Sequence, residues 1–214
     1  RISRPFIPRA SARFEPRSLQ GMEQNDLRFW GQGTWSDNRL CGWPQVKRQH
    51  PLVGDNVGFV GCYFNDAGIN PMHDEFFAPM GPEAPAILKI AREEGPDLAV
   101  SLHSHEPPPA LLRPAYLPHA IQQDVRVLAE RYYAMLDQHS LPHDSPPQVR
   151  AEDQEMPSAF NLTSVLYHIS GATSFTFECP HGLIGSCEVT HEQILDVQLT
   201  LYEAMLRHEL DKKK

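Results

Sequence analysis

The stretch "PDLAVSLH" at 96–103 is apolar from Leu98 onward and almost free of polar interruption until Ser101. A strand with apolar side chains pointing both ways must be covered on both faces. That is the situation of an interior strand in an α/β sheet, whereas a sheet with one wet face alternates polar and apolar residues. "GATSFTFECPHG" (171–182) alternates and then runs apolar, and it reads as a second interior strand ended by Cys-Pro. "NVGFVGCYF" (56–64), bounded by Asn and Gly, reads as a third.

Helical periodicity fills the gaps between these runs. In "GPEAPAILKIAREEG" (81–95) the spacing puts Ile87, Ile90 and Ala91 on one face, with Gly95 as the C-terminal cap. "AIQQDVRVLAERYYAMLDQHS" (120–140) is the clearest helix, with Val125, Leu128, Tyr132 and Leu136 on one stripe. "THEQILDVQLTLYEAMLRHEL" (190–210) opens on Thr190 as N-cap, with Gln193 at the capping-box position. Strands alternating with helices predict an α/β sandwich with a largely parallel or mixed sheet. Residues 1–50 read mostly as loop, with one short strand at "PFIP", and the proline-rich 141–157 reads as surface loop. The 214 residues suit one domain, 1–214, and there is no internal repeat.

Composition removes some classes of partner. The net charge of −8, with no basic patch, argues against a nucleic-acid backbone. No apolar stretch nears the roughly 20 residues that span a bilayer, so no membrane partner is expected. Cys41, Cys62, Cys179 and Cys187 make an even count in a chain too long for a disulfide scaffold, and three pairings stay open. Compartment and oligomeric state are not readable.

Reactive groups in α/β sheets collect where strands end. Three segments qualify: "YFNDAGINPMHDEFF" (63–77), "SLHSHE" (101–106) and "SFTFECPHG" (174–182). In an extended strand His103 and His105 face one side and Ser104 the other. His103 and Glu106 also have His-x-x-Glu spacing, and imidazole and carboxylate are both good zinc ligands. Glu178 closes an apolar strand, where a carboxylate needs either a partner or a task such as general-base catalysis.

Taken in order, "AGIN" with "HD" downstream, the strand-end "LHS", and "SFTFE" with Glu178 75 residues after His103 resemble the zinc carboxypeptidase family. The resemblance runs over about residues 5–205 and covers the C-terminal two-thirds of such a catalytic domain. It implies a three-layer α/β/α sandwich with a mixed, largely parallel sheet, incomplete at the N-terminus. It also implies a zinc cofactor, with His103 as the third zinc ligand and Glu178 as the general base, and His105 lining the site. The family's first two ligands come from a His-x-x-Glu well upstream, and none precedes "FIP" here. The Asn-Arg pair that grips a substrate's free carboxylate falls on Met72 and His73. Arg39 and Arg48 lie where the oxyanion-stabilising arginine is expected, and Tyr167 stands for the family's mobile tyrosine. His181, His191 and His208 are read as loop or surface residues.

The implied activity is zinc-dependent hydrolysis of a peptide or acyl-amide substrate. An amidase or deacylase acting on a small or cell-wall compound is the alternative within the same superfamily. A non-catalytic binding module, or an inactive fragment lacking two ligands, is the alternative outside it.

Overall fold

The computed structural model describes residues 33–35, 37, 39, 57–61, 63–65, 68–74, 80–105, 108–112, 116–143, 160–181 and 189–213. The chain divides into two compact units, 1–87 and 88–214. The "PFIP" strand, Glu106, Arg48, Cys41, Cys62, Cys187 and most of 141–157 lie outside the described residues.

In the first unit, strand β1 (Gly33–Trp35) pairs antiparallel with β2 (Val57–Val60), with a register shift between Thr34 and Trp35. β2 falls inside the expected strand at 56–64. A 3-10 turn, Pro71–His73, is capped by the Asn70 side chain, which accepts from the Met72 amide at 3.0 Å. Pro71 at its first position suits a helical start, where the missing N–H would have had no partner. Asp74 is buried and accepts from the Gly81 amide at 2.5 Å. A Cβ at Gly81 would lie 2.7 Å from Glu83 Oε2, so the Glu83 carboxylate would have to shift to admit one.

Helix α1 (Glu83–Glu94) ends as expected at Gly95, whose φ of +52° is left-handed and whose amide donates to the Ala91 carbonyl at 3.0 Å. Its inward face differs from the expected one. Ala84, Leu88 and Ala91, at i, i+4 and i+7, are the covered positions, whereas Ile87 and Ile90 are exposed. Two apolar sets overlap on this helix, and the one built on small alanines permits the closer approach.

The second unit carries a three-stranded sheet in the order β3-β5-β4, from β3 (Leu98–His105), β4 (Ala110–Leu112) and β5 (Thr173–Pro180). β3 runs parallel to β5 and β4 antiparallel to it, so the sheet is mixed. One face of β5 presents Phe175, Phe177 and Cys179 to helices α2 (His119–Gln138) and α4 (His191–Lys212). Val125, Leu128, Tyr132 and Leu136 are all fully buried there, as the stripe requires. Tyr132 meets Phe177 edge-on with ring centroids 5.6 Å apart. Each such side chain removed from water contributes about 1.5–3 kcal/mol. Cys179 is buried in this core.

The other face of β5 presents Ser174 and Thr176 to helix α3 (Leu162–Ser170). Ser174 Oγ donates to the Thr163 carbonyl at 2.7 Å, and the Thr163 and Thr176 hydroxyls are 3.1 Å apart. Helices on both faces of β5 make this unit an α/β/α three-layer arrangement. Helix α3 carries no clear periodic signature in the sequence. Its signals are short: Asn161 caps the start by accepting from the Ser164 amide, and Gly171 ends it at φ +77°. Helix α4 opens on the expected capping box. Thr190 Oγ1 accepts from the Gln193 amide, and the Gln193 side chain accepts from the Thr190 amide. Among the described residues, no helix is long and apolar enough to cross a membrane.

Candidate active site

Parallel pairing of β3 with β5 sets Ser101 opposite Thr176, His103 opposite Glu178 and His105 opposite Pro180. Along β3 the side chains alternate, with Leu102 and Ser104 exposed and Ser101, His103 and His105 half-buried. His103 and His105 therefore share a side, as strand geometry demands. Glu178 follows Thr176 by two residues, so it lies on the α3 side of the sheet. Because β3 and β5 are parallel, His103 and Glu178 both sit near the carboxyl ends of their strands, where α/β folds place ligands.

His103 Nδ1 is 3.7 Å from Glu178 Oε1, with side-chain exposures of 29 % and 17 %. That separation is too long for a direct hydrogen bond and suits a bridging water or ion. The other ring nitrogen, Nε2, is 3.0 Å from Ser101 Oγ. The hydroxyl thus holds the imidazole from behind and leaves Nδ1 turned toward the carboxylate. Ser101 was not singled out in the sequence, although a polar residue two positions before a strand histidine shares its face.

The remaining candidates are differently placed. His105 Nε2 is 3.0 Å from the Pro108 carbonyl, and the His105 carbonyl accepts from the His181 amide at 3.0 Å. His105 thereby ties the end of β3 to Pro108 and His181. Tyr167 lies half-buried on α3 with its ring edge-on to His168 at 5.1 Å, and it makes no hydrogen bond to His103 or Glu178. His73 and Arg39 belong to the first unit. His73 ends the 3-10 turn, with its amide bonded to the Asn70 carbonyl at 3.0 Å. Arg39 is exposed, and its Nε donates to Asp37 at 2.6 Å. The Arg39 amide and guanidinium hold the Asp37 carboxyl below its ordinary range.

A second titratable cluster lies at the start of β5. His208, read from sequence as a surface residue, is buried on α4, with Nε2 2.9 Å from Asp124 Oδ1 on α2. Asp124 also accepts from Thr173 Oγ1 at 2.7 Å and from Lys212 Nζ at 2.6 Å. Burial by itself would raise the Asp124 carboxyl, but the hydrogen bonds from Lys212, Thr173 and His208 outweigh it and hold the group below its ordinary value. Lys212 is desolvated, yet Asp124 and Glu209 hold its ammonium above its ordinary value. Ligand atoms of Asp124, His208 and Glu209 lie within 4.8 Å of one another, the spacing of a metal site. Lys212 Nζ, however, is 2.6 Å from both Asp124 and Glu209, so a cation already fills that position.

No family model and no curated protein sequence matches the chain. Solved structures do. A metallo-carboxypeptidase from Burkholderia cenocepacia aligns with a TM-score of 0.51 at 16% identity, over 71% of this chain and 41% of that one. A protein named as a carboxypeptidase A, from Shewanella denitrificans, aligns with a TM-score of 0.48 at 18% identity, over 70% of this chain and 42% of that one. The chain therefore spans about two-fifths of the length of the structures it matches. The first likeness establishes the fold: this chain carries part of a metallo-carboxypeptidase-type α/β architecture.

Proposed function

We propose that the chain is the Glu178-bearing part of a zinc-dependent hydrolase that cleaves a peptide or acyl-amide bond. The observation that carries this reading is the placing of His103 Nδ1 against Glu178 across 3.7 Å, at the carboxyl ends of parallel strands in a carboxypeptidase-type fold. The donor set fits one ligand position and one base position. Among the described residues His103 is the one imidazole facing Glu178, so the other two of three expected ligands come from elsewhere in the protein. Bound there, zinc would supply a Lewis acid for the scissile carbonyl and acidify a water.

The chain's own residues divide the remaining work. Ser101 fixes the imidazole plane through Nε2. Glu178 takes the proton of the attacking water on a carboxylate oxygen and returns it to the departing amine. Substitution of Glu178 by Gln in the full-length protein tests this role. Zinc content by metal analysis is expected to stay constant while turnover falls about 10²–10⁴-fold. Unchanged turnover would rule out the base assignment.

An amidase or deacylase acting on a substrate without a free carboxylate is the second reading. It draws on Met72 and His73, which stand where the family's Asn-Arg pair would grip a free carboxylate. Equal turnover of a peptide and its C-terminal amide supports this reading, and a strong demand for the free carboxylate removes it.

A further inference from the structure

The cluster around Asp124 has the donors of a metal site, with a lysine seated among them. Asp124 on α2 and His208 with Glu209 near the end of α4 bring two carboxylates and one imidazole within 4.8 Å of one another. His208 is buried, and its Nε2 lies 2.9 Å from Asp124 Oδ1. One nitrogen with two carboxylates suits zinc and its neighbours in the first transition row, whereas calcium and magnesium take oxygen. Ligand atoms on one zinc stand roughly 3–4 Å apart, so the set must contract by about 1 Å at its widest. Lys212 Nζ is 2.6 Å from both Asp124 Oδ2 and Glu209 Oε1, and so bridges the two carboxylates. One ammonium carries half the charge needed to balance them, and a divalent ion carries all of it. Lys212 is the last residue of α4 and is partly exposed, so its stem can turn out to solvent. The carbonyls that end α4 add to the pull on a cation.

We propose that Asp124, His208 and Glu209 form a structural site for a zinc-class divalent ion, and that the ion enters by displacing Lys212. The site is separate from the His103–Glu178 pair and does not depend on that pair's role. Thr173, which donates to Asp124 Oδ2 at 2.7 Å, marks its place at the start of β5. Glu178 lies about 16 Å further along the extended strand and on the other side of the sheet. The bound ion ties the end of α4 to α2 more firmly than a partly exposed ion pair can. Lys212 competes with the ion for the same two carboxylates, so its charge sets the affinity.

The test is zinc titration of the full chain carrying His103→Ala, which removes the other candidate ligand, read by calorimetry and by thermal unfolding. Zinc is expected to bind and to raise the Tm. Lys212→Met keeps the stem without the charge and should tighten binding about tenfold, whereas Lys212→Arg should not tighten it. Adding Glu209→Gln to Lys212→Met should abolish the gain. If Lys212→Met fails to fold, Glu209→Gln in the Lys212-bearing chain decides, since it must weaken binding. No zinc binding to the Lys212-bearing chain overturns the proposal. So does an affinity that Lys212→Met leaves unchanged, or one indifferent to Glu209→Gln, which would place the ion on other histidines.

Discussion

Nδ1 of His103 faces Oε1 of Glu178 at 3.7 Å because the two residues are register partners on adjacent parallel strands. A one-residue slip of β3 against β5 would turn His103 to the opposite face of the sheet. Backbone pairing, as much as the side chains, therefore defines this site.

Ser101 tests how firmly the imidazole is held. Outer partners of a ligating histidine commonly govern metal affinity by 10–100-fold. Ser101→Ala in the full-length protein should weaken zinc retention by about tenfold in chelator competition, and Ser101→Thr should recover most of it. Equal retention in all three proteins would show that the hydroxyl does not position the ring.

The Asp124 cluster predicts the pH profile of stability. Its carboxyl is held below its ordinary value of 3.8, so its contribution is complete above that value and is lost as pH falls below it. Lys212 is held above its ordinary value of 10.5, so its contribution is complete below that value and is lost as pH rises past it. Asp124→Asn should cost about 2 kcal/mol near neutrality and flatten the acid limb. Urea midpoints measured across pH check both parts.

Helix α3 stands on its two ends. Asn161→Ala removes the cap on the Ser164 amide and should cost about 1 kcal/mol. Gly171→Ala forces a side chain into a φ of +77° and should cost about 1–2 kcal/mol. Thermal unfolding of the two variants measures both. A neutral Gly171→Ala would contradict the left-handed cap.

Phe177 precedes Glu178 and is fully buried against Tyr132. Phe177→Ala should destabilise by about 3–5 kcal/mol. Any activity should fall with the folded fraction, a link that following the urea transition and the rate together can check.

The parts of the fold legible in sequence are those where one periodic pattern had a single solution. Val125, Leu128, Tyr132 and Leu136 admit one inward face, and Thr190 with Gln193 admits one cap. Helix α1 offered two apolar sets, and packing chose the alanines over Ile87 and Ile90. α3 is nine residues long, too short for periodicity to separate it from loop, and only its caps mark it. His208 looked like a surface residue because its partner is 84 positions away on another helix. The pairing of His103 with Glu178 was legible through a motif, but the part played by Ser101 required the strand to be built.

The short path from α3 through Gly171 into β5 also orders the assembly of the protein in time. Thr163 meets Ser174 and Thr176 across sequence separations of only 11 and 13, so this helix and strand can close on each other cheaply. β3 must then find β5 across a far longer loop, which is the slower search. Folding rates should be insensitive to substitution at His103 and responsive at Thr163, so the site closes only when the chain has all but finished folding.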